Sequence, residues 1–157
     1  MCSSDLDGAW LLLKENFGAA DGELLEREIR NMDEVAGAAR EADAFCRRLG
    51  QSERISAHLA LCIEEMARNT IQHGFEKDGK AHHLSIRVLR KDGQWVIRFR
   101  DDCGAFDPVH YGPGDGPENG LGIRLVRAMA QEASYTYSLN LNNLTLKLPE
   151  DRTDVTV

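Results

Sequence analysis

Apolar residues recur with a helical period through the first half of the chain and with the two-residue period of strands through the second. From Ser52 to Phe75, a rotation of about 100° per residue gathers Leu59, Ile63, Met66 and Thr70 on one face, with Ala60, Ala67 and Ile71 beside them. Ahead of this run, Val35, Ala38, Ala39, Ala42, Phe45, Cys46 and Leu49 keep the same spacing. Asp33 reads as the N-cap of that earlier helix, Gly50 as its stop and Ser52 as the next N-cap. Residues 23–31 alternate loosely through Leu25 and Ile29, as an edge strand would.

The period changes after His82. Residues 83–90 and 94–100 alternate on either side of Lys91-Asp92-Gly93, a strong hairpin signal. Residues 101–119 are rich in Gly, Pro and Asp and predict a long loop, of a length that serves as a lid or stays disordered. Gly120 to Gln131 is helical, with Ile123, Leu125, Val126 and Met129 apolar. Residues 133–139 and 144–148 form a second hairpin across Asn140-Leu-Asn-Asn143. Strand, helix, helix, two strands, loop, helix and two strands predict an α/β (α+β) two-layer sandwich. Its sheet is expected to be mixed, mainly antiparallel, with helices on one face. Residues 1–22 are expected to be a lead or linker, 23–150 the domain and 151–157 a tail.

Composition narrows the partners. The chain has 157 residues, 42% hydrophobic and 29% charged, ordinary values for one globular domain with its own core. A net charge of -7 argues against a broad nucleic-acid surface. No apolar run approaches the roughly 18 residues of a membrane span, and Met1-Cys-Ser-Ser-Asp-Leu6 lacks the basic start and apolar core of a signal peptide. Neither nucleic acid nor membrane is an expected partner. The four cysteines show no CxxC pair and no metal spacing, and the histidines, His82-His83 included, form no HExxH-type pattern. Reduced thiols in a cytoplasmic protein are the expectation.

Three blocks carry candidate chemistry. On the long helix Glu65, Asn69 and His73 fall four apart and flank the apolar face, while Glu64, Arg68 and Gln72 point further out. At a strand end stands Asp101-Asp102-Cys103-Gly-Ala-Phe106-Asp107-Pro108. At a helix start stands Asn119-Gly120-Leu121-Gly122. A buried Asp at a strand end can accept a hydrogen bond from an exocyclic amine such as that of adenine. Glycines opening a helix bring backbone N–H groups and the helix dipole to phosphates. An Asn amide oxygen suits Mg²⁺, and a Glu one turn earlier can serve as a general base.

The order and spacing of these blocks resemble the ATP-binding domain of the gyrase/histidine-kinase (GHKL) superfamily, the histidine kinase-like ATPases. Within it, the compact size, the short lid Gly112–Pro117 and Phe106-Asp107-Pro108 look most like the anti-sigma factor serine/threonine kinases. The resemblance covers about residues 23–150. It implies ATP and Mg²⁺ as cofactors, with Asn69 on the metal, Glu65 as catalytic base, and His73 near the same site. The family's usual second block, Asp-x-Gly-x-Gly, is altered here. With Asp101 as the adenine reader, Cys103 and Ala105 replace the two glycines; with Asp102, Gly104 fits the first and Phe106 replaces the second. The distance to Phe106-Asp107-Pro108 favours Asp101. Gly120, Leu121 and Gly122 would face the phosphates. A serine on an anti-anti-sigma (STAS) protein is the implied substrate, a sigma factor a second partner, and a homodimer through the first strand and helix the implied assembly. A nucleotide sensor without phosphoryl transfer and a histidine-kinase catalytic domain are the alternatives, although residues 34–49 contain no histidine.

Overall fold

The computed structural model describes residues 22–110 and 121–151. The expected lead through Asp21, the lid Gly112–Pro117, Asn119, Gly120 and the tail from Arg152 lie outside the described residues. The elements run β1 (Leu24–Ile29), α1 (Val35–Arg48), α2 (Glu53–Thr70), β2 (Leu84–Lys91), β3 (Gln94–Asp101), α3 (Leu121–Met129), β4 (Glu132–Ser138) and β5 (Leu141–Pro149). The strand order is β1-β2-β3-β5-β4, and each neighbouring pair is antiparallel. The expected mixed sheet is therefore wholly antiparallel. Two hairpins supply two of the four pairings, and β5 returns beside β3 in the opposite sense.

Local chemistry sets the helix ends. Ser52 caps α2 by accepting from the Ile55 N–H at 3.2 Å. At the end of α1 the Gly50 N–H donates to the Arg47 carbonyl and the Gln51 N–H to the Cys46 carbonyl, a Schellman closure that uses the φ of +86° at Gly50. The start of α1 differs from expectation. Asp33 lies within a 3₁₀ turn, Met32–Glu34, and caps nothing; Glu34 instead accepts from the Arg30 N–H at 3.0 Å. The end of α2 differs too. The helix stops at Thr70 and widens into a π-helical turn, Ile71–Phe75, so His73 leaves the strict four-residue stripe.

Both hairpin turns place two residues at positive φ, as the twist of paired strands requires. Asp92 and Gly93, at 52° and 72°, are the turn that the sequence predicts. The second turn is Leu139-Asn140, at 53° and 60°, and not Asn140–Asn143. The strand β5 thus begins at Leu141 and carries Asn142 and Asn143 within it.

The helices cover one face of the sheet. Leu84, Ile86 and Val88 of β2, Trp95, Ile97 and Phe99 of β3, and Leu144, Leu146 and Leu148 of β5 pack there against Ile55, Leu59 and Ile63 of α2 and the buried row of α1. Ile123 and Val126 bury α3, whereas Leu125, counted in its apolar stripe, is 42% exposed. No described helix is long and apolar enough to cross a membrane.

Candidate functional site

At the end of the core face the row of apolar side chains stops, and a cavity of about 250 Å³ opens. One wall comes from Met66, Asn69 and Thr70 of α2 with His73 and Gly74 of the π turn. The floor comes from Phe99 and Asp101 of β3 with Asn142 and Leu144 of β5, and the rim from residues 103–106, Pro108 and Tyr135. The volume lies just below the usual range of ligand pockets, about 300–1,000 Å³, and suits a heterocycle.

Asp101 is the buried acid of this site, 8% exposed. Its Oδ1 accepts from the Cys103 N–H at 3.0 Å and from Asn142 Nδ2 at 2.9 Å. Burial pushes its carboxyl above the ordinary range, and three donors, the Asn142 amide, the Cys103 N–H and the Cys103 thiol, pull it back. An ionised carboxylate has more lone pairs than these donors fill, which leaves acceptor capacity for a ligand. Asp102 turns elsewhere. Its Oδ1 meets His82 Nδ1 at 3.0 Å, and it does not line the cavity.

Asn142 holds the rim. Its Nδ2 also donates to the Cys103 carbonyl at 3.2 Å and the Gly104 carbonyl at 3.0 Å. Its Oδ1 accepts from the Phe106 N–H at 3.0 Å and from the Tyr135 hydroxyl. The irregular segment 103–106 is thereby tied to the last rung of the sheet. Sequence reasoning missed Asn142 by assigning it to a turn. The signal was present: the alternation Leu148, Leu146, Leu144, carried back one more step, lands on residue 142.

Cys103, which stands where a glycine was expected, needs no glycine backbone, since its φ is not positive. Its thiol fills the space beside Gly74, where an added Cβ would lie 2.7 Å from Cys103 Sγ. Burial, then Asp101, pushes this thiol up to about 12.

Glu65 does not line the cavity. It lies one turn before Asn69, with its carboxylate against Gly122, where any added Cβ would collide with it. Gly122 thus leaves the room in which the Glu65 carboxylate lies, and a larger side chain there would have to displace that carboxylate. Arg68 Nη1 is 4.0 Å from Glu65, but its nearer partner is Glu64, at 2.6 Å. Of the sequence candidates, Asn69, His73, Asp101, Cys103 and Phe106 surround one cavity. Glu65 and Gly122 form a second contact beside it. Leu121 opens α3, and Gly120 lies outside the described residues.

Solved structures share this fold. The histidine kinase domain of a blue-light-activated histidine kinase from Erythrobacter litoralis superposes with a TM-score of 0.53 at 19% identity, over 78% of this chain and 62% of that one. The RsbU and RsbW domains of a Mycobacterium tuberculosis protein superpose with a TM-score of 0.53 at 18% identity, over 82% of this chain and 33% of that one. The chain thus spans less than two thirds of either. No curated protein matches it in sequence. Residues 30–148 match the histidine kinase-like ATPase domain, and the chain belongs to that family.

Proposed function

We propose that this chain is an ATP-binding serine/threonine protein kinase domain of the anti-sigma type. It transfers the γ-phosphoryl group of ATP to a serine of a STAS-type anti-anti-sigma partner and so regulates a sigma factor. The observation that carries the nucleotide reading is the buried, lone-pair-rich Asp101 on the floor of a heterocycle-sized cavity that Asn69 also lines. The block order, the Phe106-Asp107-Pro108 ending and a fold shared with an RsbW domain support the anti-sigma branch.

In this reading Asp101 accepts the exocyclic amine of adenine, and Asn142 fixes its carboxylate. The first turn of α3, free of a side chain at Gly122, offers backbone N–H groups to phosphate. The Asn69 amide oxygen would hold Mg²⁺, which supplies charge neutralisation for phosphoryl transfer. Glu65 takes the proton of the acceptor serine hydroxyl.

A second reading rests on Glu65 itself. A carboxylate seated against the first turn of a helix is stabilised by the helix dipole, and holding α3 is a sufficient role for it. The domain would then sense nucleotide without transferring phosphate. Glu65→Gln separates the two, because the amide keeps the contact and loses the base. With radiolabelled ATP and a STAS protein, the kinase reading expects transfer to fall by about 10²-fold or more, with ATP affinity held within a few-fold. Undiminished transfer removes Glu65 as base. ATP binding with no transfer by the wild type to any serine-bearing partner selects the sensor.

A further inference from the structure

Beside the cavity, which Cys103 also lines, Asp78 and His82 meet Asp102 and Cys103 from about twenty residues away. His82 Nε2 is 2.7 Å from Asp78 Oδ1, and His82 Nδ1 is 3.0 Å from Asp102 Oδ1. The His82 side chain is 6% exposed. Cys103 Sγ and the ligand atoms of His82 and Asp102 all lie within 4.8 Å of one another. His83 adds its backbone N–H to Asp102 Oδ1 at 3.3 Å, and its ring lies 3.6 Å from Asp102 Oδ2. None of these contacts is used by the nucleotide reading.

We propose that His82, Asp102 and Cys103 form a binding site for a zinc-class divalent transition metal, distinct from Asn69. The hydrogen-bond geometry asks for a cation. A neutral imidazole has one N–H. If Nε2–H donates to Asp78, the Nδ1 lone pair faces a carboxylate oxygen at 3.0 Å, and two acceptors repel unless positive charge lies between them. A proton meets that need with two groups; a metal meets it with three.

The donor set selects the metal. Thiolate and imidazole suit zinc and its neighbours, whereas Mg²⁺ and Ca²⁺ take oxygen ligands. Zinc ligands lie about 2.0–2.3 Å from the ion, so closing a tetrahedron shortens the widest separation here by about 1 Å and opens the His82–Asp102 pair slightly. Asp78 stands where metal-binding histidines place a carboxylate, on the other ring N–H. A fourth position falls to water or to His83, which is half-exposed. One thiolate and one carboxylate neutralise the ion's two charges. Binding therefore expels the Cys103 thiol proton to solvent, with a second from Nδ1 where His82 is an imidazolium. No local spacing could show this site, because its ligands come from the segment after the π turn and from the exit of β3, about twenty residues apart.

The test is titration of the reduced full chain with Co²⁺, whose thiolate charge-transfer band reports sulfur coordination, and with Zn²⁺ against a chromogenic chelator. One equivalent with a thiolate band is expected. Cys103→Ser should abolish the band, Asp78→Asn should weaken Zn²⁺ binding about 10–100-fold, and Asn69→Ala should leave both unchanged. No band in the wild type, or a band that survives Cys103→Ser, overturns the site and leaves a proton alone between His82 and Asp102. Zinc-edge X-ray absorption of the wild type decides the same question without a variant: a sulfur at about 2.3 Å is required, and an all-nitrogen and oxygen shell refutes it.

Discussion

Strands β3 and β5 face each other through four rungs on the helix-covered side of the sheet, and the fourth is unlike the other three. Trp95 opposes Leu148, Ile97 opposes Leu146 and Phe99 opposes Leu144; then Asp101 opposes Asn142. The apolar rungs need only shape and volume, which any well-fitting neighbour supplies. The polar rung needs a partner for each donor and acceptor. Those partners come from Cys103, Gly104, Phe106 and Tyr135, so satisfying the rung also builds the cavity's rim. One strand pair thus makes a core along three rungs and part of the cavity lining at the fourth.

Breaking the apolar part should cost most. Leu146→Ala removes a side chain 1% exposed and should lower stability by about 2–5 kcal/mol in urea unfolding. A loss well under 1 kcal/mol would mean that the rung repacks freely. The sharper test turns the polar rung into a fourth apolar one. Asn142→Leu should lower stability by about 1–3 kcal/mol, because Asp101 and the 103–106 backbone lose buried partners. Hydrogen exchange at Phe106 should speed up with it. Stability at or above wild type would erase the distinction between the rungs.

The smallest effect concerns the side wall. Gly74→Ala should cost on the order of 1 kcal/mol, the low end of overpacking, since the contact is mainly to one sulfur. Adding Cys103→Gly should cancel most of that cost in a double-mutant cycle. An uncoupled pair would show that the cysteine does not fill the space that Gly74 leaves.

The same contrast explains what could be read beforehand. Period and capping residues found the five strands, the three helices, the Ser52 cap, the Gly50 stop and the Asp92-Gly93 turn, because each is decided within a few residues. The second turn was misplaced because Asn140, Asn142 and Asn143 are all turn formers, while the φ values above zero fall on Leu139 and Asn140. That shift hid Asn142. In the sequence only the distance to Phe106-Asp107-Pro108 favours Asp101 over Asp102; in the fold their neighbours, Asn142 on one side and His82 on the other, send them in different directions. The π turn that carries His73 also had no local signal beyond Gly74.

The central claim is that the fourth rung reads a nucleotide. Calorimetry with ATP and ADP, with and without Mg²⁺, on the wild type and on Asp101→Asn tests it most directly. The Asn amide oxygen can still accept from Cys103 and Asn142, so the fold should survive the change. The expected result is micromolar, Mg²⁺-dependent binding by the wild type, weakened at least about tenfold by Asp101→Asn, as the loss of a charge-assisted hydrogen bond requires. Absence of binding by the folded wild type, or equal binding by both proteins, would contradict it.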